Sequence, residues 1–232
     1  MTPYQKKLQF NSGKEVSLQP IDRIFVALDL TDLDKAMELS TQLCGIVGGV
    51  KLGKEFFTAN GLLGAQKIST LGMPIFLDLK FHDIPNTVAN AIKATLPLNP
   101  FLLNVHASGG RKMLEAAVDA TKSCKSHQPL LIGVTILTSL GEMDIGEIGI
   151  GETVEKQVVR LSKLVMSAGL DGVVCSANEI CKIRESCGEG FKLVVPGLRP
   201  RWASPDDQTR INTPSEAIKL GADYIVIGRP IT

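Results

Sequence analysis

Eight short, nearly continuous apolar runs are the feature that most narrows what this chain can fold into. They are IFVAL at 24–28, VGGVKL at 47–52, PIFLDL at 74–79, PFLLNV at 100–105, LLIGVTIL at 130–137, GVVC at 172–175, KLVV at 192–195 and DYIVIG at 223–228. A strand that is apolar on both faces must be covered on both, which is the condition of a parallel sheet flanked by helices. The segments between the runs supply that cover. TDLDKAMELSTQLC, with Thr31 and Asp32 as candidate caps, GGRKMLEAAVDATKSC and TVEKQVVRLSKLVMSAG all carry apolar residues at three-to-four spacing. The second and sixth connections, near 60–71 and 177–187, read as shorter.

Eight strand–helix units within 232 residues fit one domain, a (β/α)8 TIM barrel, with a doubly wound open sheet as the alternative. Against the open sheet, VALDLTDLDKA stands where a G-x-G-x-x-G would follow the first strand, and no GxxxxGK[ST] occurs. Residues 1–22 read as an N-terminal extension and 23–232 as the barrel. The sequence ends at GRPIT, before the helix that ordinarily covers strand eight, so a final helix is expected to be absent. Two stretches, 138–152 and 198–212, are long enough to be active-site loops.

Charge narrows the partners. The formal net charge is +1 and no Lys/Arg run exceeds a pair, so the electrostatic footprint of a nucleic-acid binder is missing. No apolar run nears the ~20 residues that span a bilayer, and MTPYQKKLQFNSGKEVS lacks the apolar core of a signal peptide. A cytoplasmic protein without membrane contact is expected. The five cysteines are odd in number and form no Cys-x-x-Cys, the pattern of reduced structural thiols.

Charged residues end several of the apolar runs. In DLKFHDIPNT, Asp78 and Lys80 lie two apart at a strand end, so alternation points them the same way, and Asp83 follows in the turn. Asp29 ends the first run and Lys51 interrupts the second. Such charges are costly to bury unless paired, so a mutually hydrogen-bonded acid–base network is expected where the βα loops of a barrel build its site. The plainer reading of a lone Asp-x-Lys is a structural salt bridge at the sheet rim. Arg199 in VVPGLRP and Gly228 with Arg229 in IVIGRP follow strands seven and eight, a common phosphate cradle in this fold. His82, His106 and His127 are too scattered for a sequence-evident metal site; His106 follows a strand and reads equally as pocket lining or packed core.

VALD, KLGKEFF, DLKFHDIPNT, VTILTS, VVPGLRP and IVIGRPIT, in this order and with bacterial-type spacing, resemble the orotidine 5'-monophosphate decarboxylases over about residues 23–232. The resemblance implies decarboxylation of orotidine 5'-monophosphate to uridine 5'-monophosphate, the last step of de novo pyrimidine biosynthesis, with no cofactor and no metal. It implies that Lys80 protonates C6 of the pyrimidine, that Asp78 sits against the substrate carboxylate, and that Lys51 and Asp83 complete the network. Asp29 and Lys51 would lie near the ribose hydroxyls. Asp83, Ile84 and Thr87 would reach into the site of the partner subunit of a homodimer. Thr138 would read the pyrimidine amide edge and Pro196 contact the ring, while Arg199, Gln208, Gly228 and Arg229 would bind phosphate, with 198–212 as the closing loop.

Two other readings stay open at this point. A sugar-phosphate enzyme of the same suprafamily, such as a ketogulonate-phosphate decarboxylase or hexulose-phosphate synthase, would share an Asp-x-Lys-x-x-Asp core and depend on a metal. A non-enzymatic phosphate-ligand-binding barrel is the third, because fold alone does not fix function.

Overall fold

The computed structural model describes residues 19–124, 127–200, 202 and 213–232. A short 3-10 turn, Pro20–Arg23, leads into a barrel of eight parallel strands: β1 (Ile24–Ala27), β2 (Gly49–Leu52), β3 (Ile75–Phe81), β4 (Leu102–His106), β5 (Leu130–Val134), β6 (Gly172–Val174), β7 (Lys192–Val195) and β8 (Tyr224–Ile227). Each strand pairs with the next and β8 closes on β1, with Ile24 opposite Ile225. All eight apolar runs are strands, and the open-sheet alternative is excluded by closure.

The helices around it are α1 (Leu33–Leu43), α2 (Lys54–Ser69), α3 (Pro85–Thr95), α4 (Arg111–Thr121), α5 (Glu142–Glu147), α6 (Val154–Ser167), α7 (Ile180–Cys187) and α8 (Pro214–Leu220). Of the two candidate caps of α1, Asp32 does the capping: its carboxylate accepts from the backbone N–H groups of Asp34 and Lys35. The second connection is longer than its sequence suggests. Its helix starts at Lys54, spans 16 residues, and is interrupted at Gly61, whose φ of 60° only glycine adopts cheaply. The stretch 138–152 is likewise not an open loop, because Ile145 is fully buried and anchors α5, while the Glu142 carboxylate accepts from the Val154 N–H at the start of α6. After β8 the chain makes a tight turn in which the Ile231 and Thr232 N–H groups both donate to the Gly228 carbonyl.

Two cores follow from strand alternation. One lies between barrel and helices, built on residues such as Val26, Leu77, Leu103 and Leu193. The other fills the barrel itself and is aromatic at the N-terminal end: the rings of Phe25 and Phe101 stack at 5.8 Å, and Tyr224 meets both edge-on at 5.8 and 5.7 Å. This plug seals the bottom of the barrel, which leaves the C-terminal mouth as the open end.

Candidate active site

Inward-facing positions turn polar as the strands approach the mouth. On β4, Leu102 belongs to the interior core, and Asn104 and His106 follow at the same two-residue spacing. On β2 the inward residue is Lys51, and on β3 Phe76 is followed by Asp78. Lys51, Asp78 and Lys80 line a cavity of about 180 Å³ together with Phe76 and Val226 at its floor and Val134, Val174, Val194 and Pro196 in its walls. Ile136, Leu137 and Thr138 border it on the β5 side.

Asp78 is the centre of the network. It is 8% exposed, and its Oδ1 accepts from Lys80 Nζ at 2.6 Å and from Asn104 Nδ2 at 2.6 Å. Its other oxygen lies 3.3 Å from Lys51 Nζ, which also donates to Asp29 Oδ1 at 3.5 Å. Burial by itself would raise the Asp78 carboxyl pKa, but the Lys51 and Lys80 ammonium groups, with hydrogen bonds from Lys80 and Asn104, outweigh it and hold the group below its usual value. Two anions and two cations therefore alternate in one chain of contacts across β1, β2 and β3.

The way Lys80 enters this network differs from simple alternation. Between Leu77 and Phe81 the register slips: these two residues of β3 face Leu103 and Val105, so four steps on one strand match two on the other. Lys80 sits in the resulting bulge at a φ of 52°, the left-handed region that costs a non-glycine residue roughly 1–2 kcal/mol. Its backbone N–H donates to Asn104 Oδ1 at 2.8 Å. Bulges commonly re-aim a side chain next to a site.

Asp83 behaves differently from the other acids. It is exposed, its Oδ1 accepts from the Ile84 N–H, and it forms no ion pair among the described residues. Ile84, the N-cap of α3, is 67% exposed, and Thr87 in the first turn of that helix is exposed as well. The other expected residues lie around the same mouth. Gly228 is beside β1, where an added Cβ would meet Ala27 at 3.6 Å and Asp29 Oδ2 at 4.0 Å. Arg229 is exposed just beyond it, and Arg199 is buried after β7 with its Nη1 donating to the Leu198 carbonyl. Gln208, and most of the 198–212 stretch, lie outside the described residues.

Two features, Asn104 and Gly53, escaped the sequence reading. Asn104 is a polar residue inside the apolar run PFLLNV, and that interruption is the signal that could have found it. Gly53 leaves room for the network, since a Cβ there would come within 2.8 Å of Lys51 Nζ and 3.3 Å of Asp29 Oδ1. His106 packs against His82 with ring centroids 5.4 Å apart.

The His106 pKa is pushed down to about 4, first by burial, then by His82, Lys54 and Lys80, against an opposing pull from Asp78. The imidazole is therefore neutral at pH 7. Between about pH 6.5 and about 4 the unfolded chain takes up a proton that the folded chain refuses, so stability is lost as pH falls through this window. His106→Gln is accordingly expected to gain stability relative to the wild type as pH drops from 7 to 4, read as the difference in thermal midpoints. A constant difference across that range would contradict the assignment.

Fold and site together define a (β/α)8 barrel with a buried carboxylate–ammonium network at its C-terminal mouth. The family model described as "Orotidine 5'-phosphate decarboxylase / HUMPS family" matches residues 22–232, and the chain belongs to that family. A protein of Saccharophagus degradans named orotidine 5'-phosphate decarboxylase is 48% identical over 213 residues, which cover 92% of this chain and 89% of that one. A Rhodospirillum rubrum protein of the same name is 51% identical, with 90% and 87% covered. The crystal structure of orotidine 5'-phosphate decarboxylase from Lactobacillus acidophilus superposes with a TM-score of 0.79 at 36% identity, covering 89% of this chain and 90% of the other.

Proposed function

We propose that this protein decarboxylates orotidine 5'-phosphate to uridine 5'-phosphate in pyrimidine biosynthesis, with Lys80 as the proton donor. The observation that carries the reading is the convergence of Lys51 and Lys80 on the buried Asp78 at the edge of the cavity. Family membership and the names of relatives about half identical in sequence supply the substrate. As the bond between C6 and the carboxylate breaks, carbon dioxide leaves and the electron pair stays on C6. An ammonium group already held in place by Asp78 stabilises that charge as it forms, because little reorganisation is needed at that moment. The pair then takes a proton from Lys80, whose amine is reprotonated from solvent. The Asp78 carboxylate, held ionised, would face the substrate carboxylate and favour its departure.

Around this centre, Asp29 and Lys51 would hold the ribose hydroxyls, Thr138 the pyrimidine edge and Pro196 the ring. Arg199, Gln208, Gly228 and Arg229 would bind the phosphate. The exposure of Asp83, Ile84 and Thr87 beside the mouth supports a homodimer in which they complete the partner subunit's site. Among the described residues no helix is long and apolar enough to cross a membrane, and no group of three or more His, Cys, Asp or Glu is placed to hold a metal ion.

The deciding experiment is loss of the pyrimidine absorbance of orotidine 5'-phosphate in the presence of EDTA. Metal-free turnover supports the proposal. A folded protein that is inactive in EDTA, and active on a sugar phosphate once a divalent metal is added, would replace it with the metal-dependent sugar-phosphate reading. Arg229→Ala is expected to lower kcat/KM strongly for the phosphorylated substrate and much less for orotidine itself, since remote phosphate binding drives closure of a dry site. Equal losses for both would remove Arg229 from the phosphate set.

A further inference from the structure

We infer that Asn104 is a positioning residue that locks Lys80 and Asp78 into their reactive arrangement. No part of it is exposed, and both ends of its amide are used in one direction. Its Oδ1 accepts the Lys80 backbone N–H at 2.8 Å and its Nδ2 donates to Asp78 Oδ1 at 2.6 Å. The first bond pins the β3 bulge at the residue whose backbone is left-handed, a conformation that persists only where its surroundings over-determine it. The second orients the carboxylate oxygen that also receives Lys80 Nζ. One neutral side chain on β4 thereby sets the main chain of Lys80 and the ion pair at its tip, with a donor–acceptor order that only a primary amide of this length supplies. Leucine or alanine at the same place would leave the Lys80 N–H without its acceptor, and the bulge could relax.

The activity half of this inference rests on the decarboxylase reading; the structural half does not. Asn104→Ala and Asn104→Leu, the first leaving space and the second filling it, are compared with wild type. Crystal structures of the variants are expected to show residue 80 out of the left-handed region and its Nζ withdrawn from Asp78. In turnover of orotidine 5'-phosphate, kcat is expected to fall by roughly 10²-fold while affinity for uridine 5'-phosphate stays within about threefold, the signature of misplacement rather than lost binding. Residue 80 retaining its conformation and ion pair in either variant would overturn the inference. So would parallel losses in kcat and nucleotide affinity. A wild type that leaves orotidine 5'-phosphate unchanged refutes the decarboxylase reading alone, and the crystal structures still decide the role of Asn104.

Discussion

Replacing Lys80 by alanine is expected to lower kcat/KM for orotidine 5'-phosphate by roughly 10⁴-fold or more, because one side chain supplies both a preorganised charge and the transferred proton. The variant should remain folded. Asp78 keeps Lys51 at 3.3 Å and the Asn104 amide at 2.6 Å, so its buried charge is still compensated. Thermal unfolding and far-ultraviolet circular dichroism would establish that before kinetics are compared. Lys80→Arg is expected not to rescue, since a guanidinium stays protonated and is a poor acid, and its planar fork does not match a single ammonium position. A folded Lys80→Ala protein within tenfold of wild type would move the proton donor elsewhere, Lys51 being the next ammonium in the network.

The largest stability effect is expected at the opposite end of the barrel. Arg184, on α7, is a staple: Nη1 donates to the carbonyls of Gly188, Glu189 and Phe191, and Nη2 to the Gly221 carbonyl and the Asp223 carboxylate. Asp223 in turn accepts the Leu193 N–H at 2.8 Å and lies 3.4 Å from Lys192 Nζ, so one carboxylate with its two cations ties α7 to the starts of β7 and β8. The two side chains are only 10% and 17% exposed. Removing Arg184 takes away the nearer of the two cations on Asp223, leaving Lys192 at 3.4 Å, and deprives the part-buried Phe191 and Gly221 carbonyls of their donor, which together cost about 3 kcal/mol. Arg184→Leu should therefore lower Tm by on the order of 10 °C in a chain of this size. Turnover at a temperature where the variant is still folded should be unchanged within about twofold, because the staple is remote from the mouth. A Tm within about 2 °C of wild type would show that water replaces these contacts at little cost.

These two residues illustrate how differently fold and site are encoded. Lys80 stands out in the sequence because it breaks an apolar run beside Asp78, and Lys51 stands out for the same reason in VGGVKL. Arg184 does not, since one arginine in a polar helical segment resembles any solvated residue until Gly188, Gly221 and Asp223 are folded around it. The reading of Asp78 and Lys80 as neighbours on one face reached the right partners by an incomplete route: the structure brings them together through a bulge and a left-handed backbone.

The sequence by itself determined the barrel, because eight strands buried on both faces must be apolar almost throughout, and that demand is local and visible residue by residue. It also determined which charges would gather at the mouth, since only a site or an ion pair tolerates Asp29, Lys51, Asp78 and Lys80 at the ends of such strands. What the tertiary structure alone decided was their mutual geometry. The register between β3 and β4 sets Asn104 against residues 24 and 26 positions earlier in the chain, while the exposure of Asp83 and the space that Gly53 leaves for the Lys51 ammonium are likewise visible only in the folded chain. Pairing across strands depends on shear and bulge as well as on composition, so these contacts exist only once the barrel has closed.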